Sequence, residues 1–242
     1  MQMKYFLLLF LLLLSYIAAA PVSLTNGTAT HSQPSWSVDG AVDGNTGTGW
    51  AISFRTAVNE AIAETAVWET TTNISATSLT FTMEQYHGSQ HILGCFRFSI
   101  TSDDRSLFAD GLDANGDVTA NWVILTPSSV SVPSGLTSSI QTNGSILVTG
   151  SNATATYTVQ YTGNFHNITG IRLEALEDSR LSTGGATPGP GLQPINGNFV
   201  LYNLGMDASG TPNPVPEPAS SFIIVSSIFL GFLYRTLKNI NS

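Results

Sequence analysis

Apolar and polar residues alternate with a period of two through most of the interior of this 242-residue chain. Leu79, Phe81 and Met83 share one face of a run, Tyr157, Val159 and Tyr161 one face of a second, and Ile171, Leu173 and Ala175 one face of a third. Successive side chains of a strand point to opposite sides, so each run predicts a strand with one buried face. Gly94–Thr101 reads the same way, with Phe96, Phe98 and Ile100 alternating with Cys95. Further strands are expected at Ala66–Glu69, Asn121–Leu125, Ser145–Val148 and Phe199–Leu204, where Thr, Val, Ile, Tyr and Phe concentrate while Gly, Asn, Ser and Pro fill the gaps. No long helical period interrupts them. Many short strands joined by turns predict an all-β antiparallel sandwich rather than a βαβ sheet. Pro188–Pro194 reads as a Gly/Pro loop, and residues 209–215 as a stiff, Pro-rich polar linker.

Two continuous apolar runs, one at each end, break the alternation. Lys4 precedes the run Tyr5–Leu14, and Ser15–Ala20 ends in three alanines, a small-residue cleavage pattern. Residues 1–20 are therefore expected to be a secretory signal peptide cut near Ala19 or Ala20, with Pro21 unfavourable to the cut and a retained N-terminal anchor as the alternative. Ala219–Tyr234 carries no charge and would measure about 24 Å as a helix, somewhat short of a hydrocarbon core of about 30 Å. Arg235 and Lys238 follow it, which by the positive-inside rule leaves everything before the helix on the outer side.

Charge sharpens this picture. Residues 21–217 hold five arginines and all sixteen acids of the chain, a net of −11, with no lysine between Lys4 and Lys238. Such a field repels nucleic-acid phosphates and anionic lipid, so a nucleic-acid partner is not expected. Cys95 is the single cysteine, so no intramolecular disulfide can form and stability must come from a core. About 195 residues suffice for one large β domain or two small ones.

Candidate chemistry is sparse. Asp43-Gly44 forces a tight turn in Ala41–Trp50, with Trp50 placed to plug the core beneath it. Asp110–Asp117 has oxygen side chains at alternate positions but lacks the closing glutamate of an EF-hand, and reads as a solvated loop. His87 and His91 would share a helical face as zinc ligands, with Glu84 nearby, but Gly88-Ser89 argues against a helix and no Cys or further His completes a tetrahedral set locally. No Gly-x-Ser-x-Gly elbow, Walker loop or dinucleotide fingerprint is present, no spacing singles out a carboxylate pair, and Cys95 reads as a strand residue rather than a nucleophile. Five Asn-x-Ser/Thr sequons, at Asn26, Asn73, Asn143, Asn152 and Asn167, reflect a Thr/Asn-rich composition.

Pro216, Glu217 and Pro218, followed at once by the helix of residues 219–234 and the basic pair Arg235 and Lys238, closely resemble the PEP-CTERM sorting signal of bacterial proteins over residues 216–242. That resemblance implies handling by signal peptidase and by an exosortase, a membrane-anchored precursor, and delivery to the cell surface or extracellular matrix. The Ala41–Trp50 segment resembles the Ala-x-Asp-Gly-Asn-x-x-Thr-x-Trp signature of discoidin-like, galactose-binding-like jelly rolls. Gly88–Ser99, Ile171–Leu176 and Asn196–Leu201 resemble blocks of exported bacterial proteins bearing the same tail, which carries the likeness from about Thr25 to Asp207 and implies one jelly-roll region over residues 21–208. Carbohydrate-binding members of that fold hold a structural calcium, which nominates Asp43, Asn45, Thr48 and, in place of the usual closing glutamate, Asn203. A metal-free turn explains the same residues. The implied function is a non-catalytic exported module binding extracellular polysaccharide through loops at one end, with Trp36, Tyr86 and His87 as candidate ligand contacts. A self-assembling envelope protein without sugar recognition is the alternative, and a glycan-active enzyme ranks below both.

Overall fold

The computed structural model describes residues 19–53, 61–113, 116–181 and 189–214. The readings of residues 1–18 and of the tail, including Pro216, Glu217, Pro218, the helix of residues 219–234, Arg235 and Lys238, lie outside the described residues. Among the described residues twelve strands follow in chain order: β1 (Ala20–Pro21), β2 (Leu24–Ala29), β3 (Trp50–Ala51), β4 (Glu64–Gln85), β5 (Cys95–Thr101), β6 (Val123–Ile124), β7 (Ser129–Ser131), β8 (Leu136–Ile140), β9 (Ile146–Gly150), β10 (Ala155–Ala175), β11 (Val200–Leu201) and β12 (Asn203–Ser209).

The architecture grows from one long antiparallel ribbon. β4 and β10 pair along their whole length, from Ala155 opposite Gln85 to Ala175 opposite Glu64, with register shifts between Thr162 and Gly170. Such bulges bend a strand and increase its twist. Thr71, Thr72 and Asn73 at the bend are exposed, whereas Ala66 and Trp68 before it and Leu79, Phe81 and Met83 after it are fully buried. The ribbon thus contributes to two layers. Its Glu64 end lies between β2 and β5, and the sheet continues through β9 to β8. Its Gln85 end lies between β12 and β7, with β1 beyond β12. Every pairing among the described residues is antiparallel, so they form the all-β antiparallel sandwich expected from the alternation, with the jelly-roll architecture that the resemblance implied.

Aromatic contacts join the layers. Phe81 of the Gln85 end stacks on Phe98 of β5, with ring centroids 4.2 Å apart and planes within 11°, and Phe96 stacks on Tyr157 at 6.0 Å. These rings belong to one continuous core that runs from Ala29 to Met206, and each fully buried Phe contributes about 1.5–3 kcal/mol relative to an exposed one. Residues up to Pro212 cluster as one compact unit. Cys95 points away from this core into a small cluster with Leu147 and Leu181. Burial, helped by the Asp178 charge, pushes its thiol up to about 11, which suits a strand residue and not a thiolate nucleophile.

Three expectations change in detail. Ala66–Glu69 and Leu79–Met83 are parts of the single β4, and Tyr157–Tyr161 and Ile171–Ala175 parts of the single β10, because the exposed polar bend remains backbone-paired between the two. Asn121–Leu125 contracts to Val123–Ile124, its pairing with β5 covering only Ser99 and Ile100. Phe199–Leu204 divides at Tyr202: Val200 and Leu201 pair with Ala51 and Trp50 of β3, and from Asn203 onward the chain pairs with β4. β7 and β8 were not legible, since their Ser/Thr-rich runs bury little and carry no apolar alternation.

Candidate functional site

Tyr202 occupies the position where the chain leaves β3 for β4. Its backbone N–H donates to the Glu84 carbonyl at 2.8 Å, and Asn203 next to it stands opposite Glu84 in register. Inward-pointing Met83 and Gln85 are buried, so Glu84, between them, projects from the outer face and is half-buried. This end of the sandwich is the one remote from the ribbon's bend.

Beyond β4 the chain turns sharply. Gly88, Ser89 and Gln90 all occupy the left-handed region, with φ of 84°, 47° and 61°. For Ser and Gln that conformation costs about 1–2 kcal/mol each. It is held by bonds on both flanks: Leu93 N donates to Gln85 Oε1 at 2.6 Å, His91 N to Gly88 O at 3.0 Å, and Val200 N to His91 O at 3.0 Å. His91 Nδ1 also donates to the Gly88 carbonyl at 2.9 Å. Burial lowers the His91 pKa, opposed by that bond and reinforced by neighbouring His87. A third segment arrives through the Gln33–Trp36 turn, closed by Trp36 N donating to Gln33 O at 2.9 Å with Ser35 at φ 69°.

These three segments assemble an aromatic cluster. Trp36 meets Tyr202 edge-on at 5.7 Å and His87 at 5.3 Å; His87 meets His91 at 4.6 Å; Tyr86 lies 6.3 Å from Tyr202 with the planes tilted by 31°. His87 Nδ1 and the Tyr202 hydroxyl share a hydrogen bond of 3.3 Å. Tyr86 is 47% exposed, with its hydroxyl 3.3 Å from the Thr156 hydroxyl. Beside it opens a cleft of about 160 Å³ lined by Tyr86, Tyr202, Glu84, Asn203, Asn45 and Thr46.

The Asp-Gly turn forms the remaining wall. Asp43 accepts from Asn45 N at 2.8 Å and from the Thr48 hydroxyl at 2.7 Å, and Asn45 Oδ1 accepts from Gly47 N at 3.0 Å. Gly49 lets the turn approach β11: a Cβ there would lie 2.8 Å from the Leu201 carbonyl oxygen. Trp50 beneath is fully buried, its Nε1 donating to the His31 carbonyl at 3.1 Å. Of the four residues nominated for calcium, Asn45 and Asn203 line the cleft, while Asp43 and Thr48 bond to one another. The four supply one charge, and the side-chain oxygens of Asp43 and Asn45 already accept hydrogen bonds. They therefore fit a self-satisfied turn better than the six to eight oxygens a divalent cation requires.

Trp36, Tyr86 and His87, each nominated separately from the sequence, come together here. Tyr202 was missed, and Glu84 was considered only as a neighbour of a zinc pair and not as part of a binding cleft. Tyr202 lay inside a run read as one strand, and Glu84 inside a strand whose outer face carries no signal of its own. The acidic stretch lies elsewhere: Asp110 accepts from Leu112 N and Asp117 N, Asp117 accepts from Thr119 N, which holds its carboxyl below the usual range, and Gly111 N donates to Thr28. Its described residues lie against β2. Among the described residues no three His, Cys, Asp or Glu side chains gather as a metal set.

Chemically, the cleft offers ring faces, two amides and one carboxylate. Glycoside hydrolysis uses a pair of carboxylates facing one another, and Glu84 is the one carboxylate among its lining residues. Among the described residues no arginine lines it. Arg97 grips Glu174 with two bonds of 2.8 and 2.9 Å, Arg172 approaches the same carboxylate at 3.1 Å, Arg105 lies 3.8 Å from Glu69, and Arg180 lies 2.6 Å from Asp178.

No family model and no curated protein matches the chain. Among solved structures it is similar to a family 32 carbohydrate-binding module from Clostridium perfringens in complex with galactose, at 11% identity over 78% of this chain and 99% of that one, with a TM-score of 0.44. A second Clostridium perfringens module of the same family, in complex with GalNAc-β-1,3-galactose, shares 12% identity over 77% of this chain and 99% of that one, with a TM-score of 0.45. An F5/8 type C domain from Bacteroides fragilis shares 10% identity over 78% of this chain and 97% of that one, with a TM-score of 0.43. At these scores the architecture rests on the strand pairing and core contacts described above.

Proposed function

We propose that this protein is an exported, non-catalytic β-sandwich that binds extracellular polysaccharide at the cell surface or matrix, its export and placement directed by the N-terminal signal peptide and the PEP-CTERM-like tail. The observation that carries the binding is the meeting of Trp36, Tyr86, His87 and Tyr202 beside a cleft with amide groups on two sides. Sugars present apolar C–H faces and equatorial rings of hydroxyls. Exposed Tyr86 and half-buried Tyr202 offer ring faces to the first, and Asn45 and Asn203 hydrogen-bond the second. The turn at Gly88–Gln90 holds His87 against Tyr202, so the wall is largely set before any ligand arrives.

Residues 21–214, which contain the whole described core, are the material for the test. A glycan array followed by polysaccharide pull-down should give at least one retained saccharide, and Tyr202→Ala should weaken that binding about tenfold or more. Uniform absence of binding by a folded sample would remove the reading.

A second reading, assembly without sugar recognition, draws on β8. This strand ends the sheet, and its sequence Leu136–Ile140 carries neither a charge nor a proline, the usual guards of an edge. Sedimentation velocity distinguishes the two: concentration-dependent assembly indifferent to saccharide supports β8 pairing, and a monomer that binds glycan excludes it.

A further inference from the structure

Glu84 has a feature that the other described glutamates lack. Glu69 bonds to Asn26, Glu174 to Arg97, Glu64 to Thr30 and Glu177 to the Ala63 N–H. The Glu84 carboxylate, half-buried among the residues lining the cleft, has no hydrogen-bond or ion-pair partner among the described residues. Its backbone is pinned, opposite Thr156 on one side and Asn203 on the other, with the carbonyl accepting from Tyr202 N. Its oxygens reach solvent on a backbone that is held, and so are placed to receive a donor from a ligand.

We propose, on the premise that this cleft is a carbohydrate site, that the preferred sugar carries a free amine whose ammonium is held by Glu84 and flanked by the rings of Tyr86 and Tyr202. Three observations converge on this class. A charge-assisted hydrogen bond to a carboxylate is roughly twice as strong as a neutral one, so an ammonium gains more from Glu84 than a hydroxyl does. The adjoining ring faces attract a cation by their quadrupoles. Among the described residues no basic side chain lines the cleft, and residues 21–217 as a whole carry −11, so uronate and sulfated sugars are repelled where an amino sugar is drawn in. Asn45 and Asn203 remain to bond the ring hydroxyls.

Isothermal titration of residues 21–214 with glucosamine oligomers, their N-acetylated counterparts and oligogalacturonate, at a mildly acidic pH and fixed salt, tests the assignment. The glucosamine oligomer should bind about tenfold more tightly than the acetylated one, and the oligogalacturonate most weakly. Glu84→Gln should bring the first ratio close to one. Asp113→Asn, which makes the same change in net charge at a loop outside the cleft, should leave the ratio intact, separating a local contact from the general acidic field. Equal affinity for amine and acetylated oligomers, a ratio that survives Glu84→Gln, an equal drop in the ratio with Asp113→Asn, or preference for the uronate would each overturn the amine assignment while leaving carbohydrate binding in place. Failure to bind any oligosaccharide, with native melting behaviour, would remove both.

Discussion

Exchanging the two rings that join the layers offers a quantitative test of the sandwich. Phe81 belongs to the Gln85 end of β4 and Phe98 to β5, both are fully buried, and their rings stack at 4.2 Å and 11°. Phe→Leu keeps an apolar side chain at each position and removes the ring face, so each single substitution should cost about 1–2 kcal/mol. The stacked pair should add a coupling of about 0.5–1.5 kcal/mol, making the double variant less destabilised than the sum. Phe81 also meets Tyr161 at 5.7 Å, and Phe98 meets Phe96 at 6.1 Å and Tyr161 at 6.4 Å. Those remaining contacts place the coupling in the lower half of that range. A domain of ordinary stability, about 5–15 kcal/mol, survives the double substitution. Urea unfolding of residues 21–214 is the assay. With a slope near the upper end of about 1–3 kcal/mol per molar, each single variant should lower the midpoint by roughly half a molar. Two destabilised singles whose effects simply add, within about 0.3 kcal/mol, would mean the rings do not touch and the ribbon does not fold over itself.

Other expectations follow from individual groups. The Tyr161 hydroxyl is buried without a partner, so Tyr161→Phe should stabilise by about 1 kcal/mol, whereas Tyr157, which donates to the Leu93 carbonyl at 2.9 Å, should lose about the same on conversion to Phe; both read as midpoint shifts in urea. Burial holds His91 below its ordinary 6.5, so the unfolded chain takes up the proton first: the stability from neutral His91 is complete above 6.5 and falls as the pH drops toward the depressed folded value. His91→Gln should flatten the slope of unfolding free energy over that interval. Melting in calcium and in chelator should differ by less than about 2 °C, because the Asp43 turn is already satisfied by Thr48 and Asn45; a rise above about 5 °C would show that the loop oxygens turn to an ion.

Alternation alone determined the class of this protein. Phe96, Phe98, Phe81 and Tyr157 announce buried faces because a strand has only two sides and water sorts them locally. Asp43-Gly44 announced its turn, and Trp50 its place in the core, for equally local reasons. The sequence also nominated Trp36, Tyr86 and His87, but as three unrelated loop residues. Their meeting required three segments to converge at one end of the sandwich, and that depends on register, which a period of two does not specify. Glu84 is an ordinary outward-facing residue until Asn203 is set opposite it. Tyr202 joins the cluster only because the last strands change partners from β3 to β4 around it. Which faces are buried is written residue by residue; which strands become neighbours is a property of the whole chain, decided by how the bent ribbon closes over its own core.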